Sequence, residues 1–476
     1  MSVAISTLLE RLGADAPTPP PEGDLSVLVD RIVIDSRKAQ SGSLFCAITG
    51  SMNDGHDYVA AAAAAGASAA LVERRVDADI VQLVVHDSQL WTGWLAAALA
   101  GRPSLEIDVV GVTGTNGKTS IVTLIEHIVT ATGSSAASLG TLTGSLTTAA
   151  APDFQHALRR SVDDGHRVIA TEVSSHALDQ QRVAGTRFAV SVFTNLSQDH
   201  LDYHPNMEHY FASKARLFAA GQTAAAVIDI SDEWGARLAN SVTVPTTTVD
   251  GSAIAESAEL HPGGSTFEWR GLPVSLPLGG RFSVTNAVLA AEACVTLGLE
   301  PNEIVKALGA APQIPGRFER VDLGQAFTVI VDYSHTPASI AAAVQSAREL
   351  TDGRVLLVFG AAGDRDPGKR PLMGAAASAA DELYITSDNP RSEDPDAIIA
   401  AVEVGVTGHG SASVRSIADR EAAIHAAIAE AWEGDVVVIA GKGHEDYQII
   451  GTERRDFDDR VVALSALVQT GRGQIA

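Results

Sequence analysis

The segment Val109-Val110-Gly111-Val112-Thr113-Gly114-Thr115-Asn116-Gly117-Lys118-Thr119-Ser120 has the residue types of a nucleotide-phosphate loop. An apolar run leads into a glycine-rich turn and then a helix start. Gly114 and Gly117 let the backbone approach phosphate oxygens, the helix offers its first amides, Lys118 brings a positive charge, and the Thr119 hydroxyl stands where Mg²⁺ would be ligated. The chemistry expected is use of ATP, with Gly114, Thr115, Asn116, Gly117, Lys118, Thr119 and Ser120 around the phosphates. Strict spacing for such a loop needs glycine five positions before Gly117; Val112 stands there, so the loop is a variant. A plain strand-to-helix turn accounts for Gly114 and Gly117 but not for Gly-Lys-Thr at the helix start.

In open α/β sheets ligands bind beyond the carboxyl ends of the strands, and five polar clusters fall at such places. Glu172, followed by Val173-Ser174-Ser175-His176, either holds Mg²⁺, directly or through water, or caps the next turn. Asn195-Leu196-Ser197-Gln198-Asp199-His200-Leu201-Asp202 follows another apolar run, with Lys214 on an expected helix beyond it. His200 alone reads as an ordinary loop histidine; in this company it reads as part of a site. Asp332-Tyr333-Ser334-His335-Thr336-Pro337 ends a strand and starts a helix at the proline. The loop of Gly360, Gly363, Asp364, Arg365, Asp366, Lys369 and Arg370 offers forks for carboxylate or phosphate oxygens, or is a solvated charge run. Ser387-Asp388-Asn389-Pro390-Arg391 and Gly441-Lys442-Gly443-His444-Glu445, taken as a pair, offer a guanidinium for a carboxylate and carboxylates for an ammonium, which complements an amino acid.

The elements that must position these groups alternate strand with helix. Apolar runs at Ile107 to Val112, Val168 to Val173, Val190 to Asn195, Val329 to Asp332, Val355 to Gly360, Leu383 to Thr386 and Val436 to Ala440 read as buried parallel strands. Helical patterns lie between them, as at Ser120 to Thr132, Val284 to Leu297 and Ala338 to Leu350, and the class expected is a doubly wound α/β fold. Breaks at Gly101-Arg102-Pro103-Ser104 and Ala311-Pro312-Gln313-Ile314-Pro315-Gly316 divide the chain into units expected at 1–103, 104–313 and 314–476.

At 476 residues the chain is long enough for about three such units. A net charge of -24 argues against nucleic-acid or anionic-membrane partners, and it makes Mg²⁺ the expected companion of a bound nucleotide. Cys46 and Cys294 are far apart, so neither a disulfide framework nor a zinc site is expected, and both read as core. No signal-like segment or bilayer-length apolar run is present; the expected compartment is the cytoplasm and the expected state a monomer.

In these residues the chain resembles the Mur ligase family of peptidoglycan precursor synthesis over nearly its whole length. The matching pieces are Asp35-Ser36-Arg37 with Gly42 and Leu44-Phe45, the Gly114 to Thr119 loop, Glu172 to His176, Asn195 to Asp202, Lys214 with Leu217-Phe218, Asn286, Gly316-Arg317, Asp332 to His335, Gly363 to Asp366, Asp388 to Arg391 and Gly441 to Glu445. The resemblance implies a three-domain architecture: a first domain for the UDP end of the substrate, a central P-loop-type ATPase domain, and a Rossmann-like third domain that brings the amino acid. It implies further that Ser36 contacts the uridine part, that Thr147, Thr148, Ser174, Gln180 and Arg182 hold the muramoyl peptide, and that Asn286, Arg317 and Asp332 bind ATP. Lys214 matches a carbamoylated lysine, N6-carboxylysine, which with Thr119, Glu172 and His200 would hold Mg²⁺. Where the family often continues Thr-Thr-Pro-Glu, this chain has Thr147-Thr148-Ala149-Ala150, which loosens the loop without removing a ligand.

The reaction implied is ligation: Lys118, Glu172, His200 and Lys214 serve transfer of the γ-phosphoryl of ATP to a carboxylate, and an amine then displaces phosphate. The acceptor implied is UDP-N-acetylmuramoyl-L-alanyl-D-glutamate. The amine implied is that of meso-diaminopimelate, expected to be held by Arg365, Asp388, Asn389, Pro390, Arg391, Gly441 and Glu445. Three readings compete: a lysine-adding form of the same ligase; a folylpolyglutamate-synthase-like enzyme, which leaves Asp35 to Phe45 and Asp388 to Arg391 unexplained; and a catalytically silent binding partner, against which Lys118, Glu172, His200 and Lys214 all stand.

Overall fold

A strand that is apolar on both faces needs cover on both, and each of the long Val/Ile runs does enter a parallel sheet with helices on either side. The computed structural model describes residues 2–50, 53–261, 263–406 and 412–471. Asp108–Thr113, the strand that feeds the phosphate loop, lies inside a six-stranded sheet. Its spatial order is Thr246–Val249, Thr223–Asp229, Phe188–Phe193, Asp108–Thr113, Val168–Glu172, Ala136–Leu139. All five pairings are parallel. The register sets Val112 opposite Glu172 and Thr113 opposite Phe193, so the loop, Glu172 and Thr194 leave the sheet at one height. Alternation does the rest: Val110 and Val112 pack under the helices Lys118–Ala131 and Arg281–Thr296, while Val109 packs with Phe154, Phe188 and Leu217 on the other face.

The last third of the chain repeats the plan. Its sheet runs Glu319–Val321, Thr328–Asp332, Val436–Ala440, Val355–Phe359, Glu382–Ile385, Ser413–Ser416, antiparallel only at the first strand. Ile330, Leu357 and Val438 face one core, and Val329, Val331, Leu356 and Val437 the other. The first third carries a smaller parallel sheet, Arg31–Val33, Ser43–Cys46, Ala69–Val72, Val81–Val84, closed by Ile5–Leu12 and Ser88–Leu99 through Ile5, Leu8, Trp91 and Leu95.

The Val190 to Asn195 strand ends earlier than expected, at Phe193, because Thr194 and Asn195 turn from the ladder to the phosphate loop. Three parallel strands, Ala136–Leu139, Thr223–Asp229 and Thr246–Val249, and an antiparallel trio, Glu259–His261, Gly264–Trp269 and Leu272–Leu276, were not foreseen. Cys46 and Cys294 are buried free thiols. Among the described residues no helix is long and apolar enough to cross a membrane.

Candidate functional site

Thr194 and Asn195 shape the phosphate loop from outside. The Thr194 hydroxyl donates to Asn116 O at 2.6 Å, Asn195 Oδ1 accepts from Asn116 N at 3.0 Å, and Asn195 O accepts from Thr115 N at 2.9 Å. Gly114 (φ 148) and Gly117 (φ 88) take backbone conformations open to glycine. The space is closed as well: a Cβ on Gly114 would come within 1.8 Å of Thr194 Oγ1, and one on Gly117 within 2.4 Å of Asn286 Oδ1. The variant glycine spacing thus follows from what surrounds the loop. Gly117 caps the helix Lys118–Ala131, whose N-terminal turn carries Thr119 and Ser120.

Two lysine amino groups meet at one carbonyl. Lys118 Nζ donates to Gly114 O at 2.9 Å and Thr115 O at 2.8 Å, and Lys214 Nζ, 1% exposed on the helix Met207–Ala215, donates to Gly114 O at 2.7 Å. Burial and the neighbouring Lys118 push Lys214 well below the ordinary lysine value, which favours the neutral amine. Burial also lowers Lys118, against the pull of Glu172. Glu172, itself 1% exposed, accepts on Oε1 from Thr119 Oγ1 at 3.0 Å and from Thr141 N at 2.8 Å.

His200 stands across this cluster in the left-handed region (φ 56), with its ring 4.9 Å from that of His176. Its Nε2 lies 3.5 Å from Asp199 Oδ2, and His335 of the third unit approaches the same oxygen at 4.0 Å. Burial works to raise the Asp199 carboxyl, but His200, His335 and Lys369 outweigh it and hold it at about 2. Burial drives His200 down, opposed by Asp199 and assisted by His176, Lys214 and Lys118, so the imidazole is neutral. Asp199 joins the two units, and the sequence reading did not single it out; its place immediately before His200 was the available signal.

The candidates for the muramoyl peptide form one connected edge beside Glu172. Thr148 Oγ1 donates to Glu172 O at 2.8 Å and accepts from Ser174 N at 3.0 Å, and Arg182 donates to Thr148 O at 2.9 Å and to Gln180 Oε1 at 2.7 Å. Thr147 Oγ1 accepts from Thr141 Oγ1 at 3.4 Å. Ala149 and Ala150 lead straight into the helix Ala151–Asp163, so the loop closes without the family proline. Ser36 lies elsewhere, in the 3₁₀ turn Ser36–Lys38 of the first unit, capped by the Asp35 side chain.

Between the central and third units is a cavity of about 430 Å³, lined by Asn116, Gly117, Ser120 and Asn286 on one side and Arg317, Asp332 and Ser334 on the other. The sequence candidates for ATP from both units therefore meet. Arg317 Nη2 donates to Thr119 Oγ1 at 2.9 Å, with its guanidinium 4.4 Å from the Tyr333 ring centroid. Asp332 is engaged by its own chain, accepting from Phe318 N at 2.7 Å and Ser334 N at 2.8 Å. Asp229 and Asp232 also line the cavity; they lie on and after a strand the sequence reading missed, and were missed with it.

The two segments paired from sequence do touch. Asn389 Nδ2 donates to Glu445 Oε2 at 3.0 Å, and the buried Lys442 Nζ donates to the same oxygen at 2.9 Å. Arg391 (φ 52) donates from Nη1 to Gly363 O at 2.8 Å. Two arginines of the charged loop find partners within the protein. Arg370, its side chain 6% exposed, forks Glu393, and Arg365 reaches across to Asp202 of the central unit at 3.7 Å. Glu445 is likewise already paired, so Asp388 is the carboxylate of the group without a lysine partner.

Comparisons with known proteins agree with this geometry. Three family models match: "Mur ligase family, catalytic domain" at residues 28–98, "Mur ligase middle domain" at 112–294, and "Mur ligase, glutamate ligase domain" at 316–443. The UDP-N-acetylmuramoyl-L-alanyl-D-glutamate--2,6-diaminopimelate ligase of Synechococcus sp. (strain WH7803) is 42% identical, over 98% of this chain and 99% of its own. A solved structure of a ligase of that name is 32% identical with a TM-score of 0.67, covering 99% of this chain and 100% of the other. The folylpolyglutamate synthase of Mycobacterium tuberculosis, complexed with ADP and AMPPCP, shares the fold (TM-score 0.59, 20% identical) over 80% of this chain and 95% of its own. With models matching in all three units and a relative at 42% identity end to end, this chain belongs to the Mur ligase family.

Proposed function

We propose that this protein is the ATP-dependent ligase that adds meso-diaminopimelate to UDP-N-acetylmuramoyl-L-alanyl-D-glutamate, releasing ADP and phosphate, in peptidoglycan precursor synthesis. The observation that carries the reading is convergence. A phosphate loop with a candidate peptide-binding edge stands on the central unit, an arginine with a carboxylate suited to a diamino acid stands on the third, and the two units are joined by Arg317 to Thr119 and Arg365 to Asp202. The names of the relatives support the substrate pair. The division at 1–103, 104–313 and 314–476 assigns the UDP end of the acceptor to the first unit, its peptide and the phosphate loop to the central unit, and the diamino acid to the third.

In the first step the acceptor carboxylate attacks the γ-phosphorus, the bond to the bridging oxygen breaks, and ADP leaves. Lys118, tethered at the loop mouth, and Arg317 beside Thr119 neutralise the charge that gathers there. In the second step the amine lone pair forms the C–N bond, the acyl–oxygen bond breaks, phosphate leaves, and the amine gives up a proton. The Thr148, Ser174, Gln180 and Arg182 edge holds the acceptor, and Asp388 and Arg391 orient the incoming amine.

The donors present fit Mg²⁺. Among the described residues no cluster of three or more His, Cys, Asp and Glu makes a closed cage, but Mg²⁺ takes only one or two protein carboxylates and completes its shell with phosphate oxygens and water. Thr119, Glu172, His200 and Lys214 as N6-carboxylysine would hold it, and the ion would supply positive charge between two approaching anions. The carbamate forms when a neutral lysine amine bonds to CO₂ and loses a proton, and the burial that lowers Lys214 favours that amine. One chain supplies every group, so a monomer suffices, and dependence on ATP supports the cytoplasm as the place of action.

The test is ADP release by purified protein with the UDP-muramoyl dipeptide across a panel of amino acids. Turnover with meso-diaminopimelate is expected. Preference for lysine or glutamate, or no turnover at all, overturns the assignment.

A further inference from the structure

A fully buried arginine lies behind the diamino-acid candidates. Arg420 is 1% exposed and occupies the first position of the helix Arg420–Glu430, where the helix dipole disfavours a cation. Its partner Asp459, 0% exposed, opens the helix Asp459–Gln469. The pair is bidentate, Nε to Oδ1 at 2.8 Å and Nη2 to Oδ2 at 2.7 Å. A carboxylate beneath two helix starts explains Asp459, but not why a guanidinium, costly to bury, was set against it.

The remaining N–H groups give the reason. Nη2 also donates to Ala440 O at 2.9 Å, and Nη1 to Ser387 O at 3.4 Å. These carbonyls end the strand Val436–Ala440 and follow the strand Glu382–Ile385, which are not neighbours: Val355–Phe359 lies between them. Two strand spacings, roughly 10 Å, separate such ends, and no ladder bond joins them directly. From them start the two segments Ser387 to Arg391 and Gly441 to Glu445. Between them the fit is close, since a Cβ on Gly441 would stand 2.8 Å from Asp388 Oδ2 and 3.8 Å from Arg420 Nη2.

We propose that Arg420 is a positioning residue of the amino-acid subsite, fixing the two strand ends so that Asp388 and Arg391 meet the diamino acid at one spacing. The guanidinium gives its hydrogen bonds to Asp459 and the two carbonyls, none of them to the Asp388 carboxylate, which stays open to the ligand's ammonium. Lysine in its place keeps the charge but lacks the planar fork that reaches Asp459 and both carbonyls together. The inference rests on the reading of Asp388 to Arg391 and Gly441 to Glu445 as that subsite.

Steady-state kinetics of Arg420→Lys and of Arg420→Met/Asp459→Leu test it. The double variant removes both buried charges together, a change that well-packed apolar groups commonly tolerate. In both variants KM for the amino acid is expected to rise by about tenfold or more, while KM for ATP and for the UDP-muramoyl dipeptide stays within about twofold. A double variant with the wild-type amino-acid KM overturns the proposal. So does a common rise in all three KM values, or failure of both variants to fold, because the pair is then merely structural. The KM is measured with whichever amino acid the wild type accepts. A wild type that rejects diaminopimelate therefore defeats the substrate assignment while leaving this comparison intact.

Discussion

On the proposed reading, Arg391 decides between diaminopimelate and lysine, which differ by one carboxylate. Its backbone is held at φ 52 and its Nη1 by Gly363 O, so the guanidinium is set before any ligand arrives. With lysine bound, that group loses its anionic partner, and sites built around a polar partner reject the analogue lacking it by ~10⁴-fold or more. Arg391→Ala is expected to erase most of the difference in kcat/KM between the two amino acids; a variant that keeps its discrimination removes Arg391 from the specificity argument. Lys214 carries the second residue-scale expectation. If it acts as a carbamate, Lys214→Ala is nearly inactive and partly restored by small carboxylates such as acetate, which offer the hard oxygens Mg²⁺ prefers; full activity without rescue makes the lysine structural. Gly114, Gly117 and Lys118 could be read from the chain because a phosphate loop is local, its parts within a few residues of one another. Arg420 could not, since its partners lie 20, 33 and 39 residues away and only the folded sheet gathers them.

At the scale of elements, strands buried on both faces announce themselves as continuous apolar runs, and all seven of those expected exist within two residues at either end. Ala136–Leu139 and Thr246–Val249 are sheet edges with polar or small residues, and carry no such signal. Missing too was the aromatic and histidine layer between Ser175–Asp179 and Met207–Ala215. There His204, 0% exposed, contacts Ser175 Oγ through Nε2 and His209 Nδ1 through Nδ1, both at 2.9 Å. Burial, then His176 and His209, push His204 down to about 4 from an ordinary 6.5. The unfolded chain therefore binds this proton more readily than the folded one. Its contribution to stability is complete above about pH 6.5 and is lost as pH falls toward about 4. Thermal midpoints of the wild type should drop across that window, and those of His204→Gln should drop less; parallel curves for the two proteins would remove His204 as the cause.

At the scale of the whole molecule, the cavity proposed for ATP belongs to two units at once, since it takes Asn116, Gly117 and Asn286 from the central unit and Asp332, Ser334 and Ser339 from the third. The candidate diamino-acid groups lie on the third unit and the candidate acceptor groups on the central one, and the side chains that cross include Arg317 to Thr119, Arg365 to Asp202, His335 toward Asp199, Arg281 to Glu349 and Phe282 on the Phe318 ring. Side-chain contacts of this kind between units leave part of their relative placement to be fixed by what fills the cleft. Nucleotide that holds them together prepays the closing that the amino acid otherwise has to bring about, so the two ligands must favour one another, and by linkage the coupling is reciprocal. Calorimetric titration of meso-diaminopimelate should therefore show tighter binding with a non-hydrolysable ATP analogue, Mg²⁺ and the UDP-muramoyl dipeptide present than without the nucleotide, by a factor on the order of 5 to 150. Arg317→Ala, which removes the contact to Thr119, should reduce that factor while leaving the affinity measured without nucleotide unchanged. Equal affinities in the presence and absence of nucleotide would mean that the amino-acid subsite is complete on the third unit alone, and that closure serves only to exclude water from the acyl phosphate.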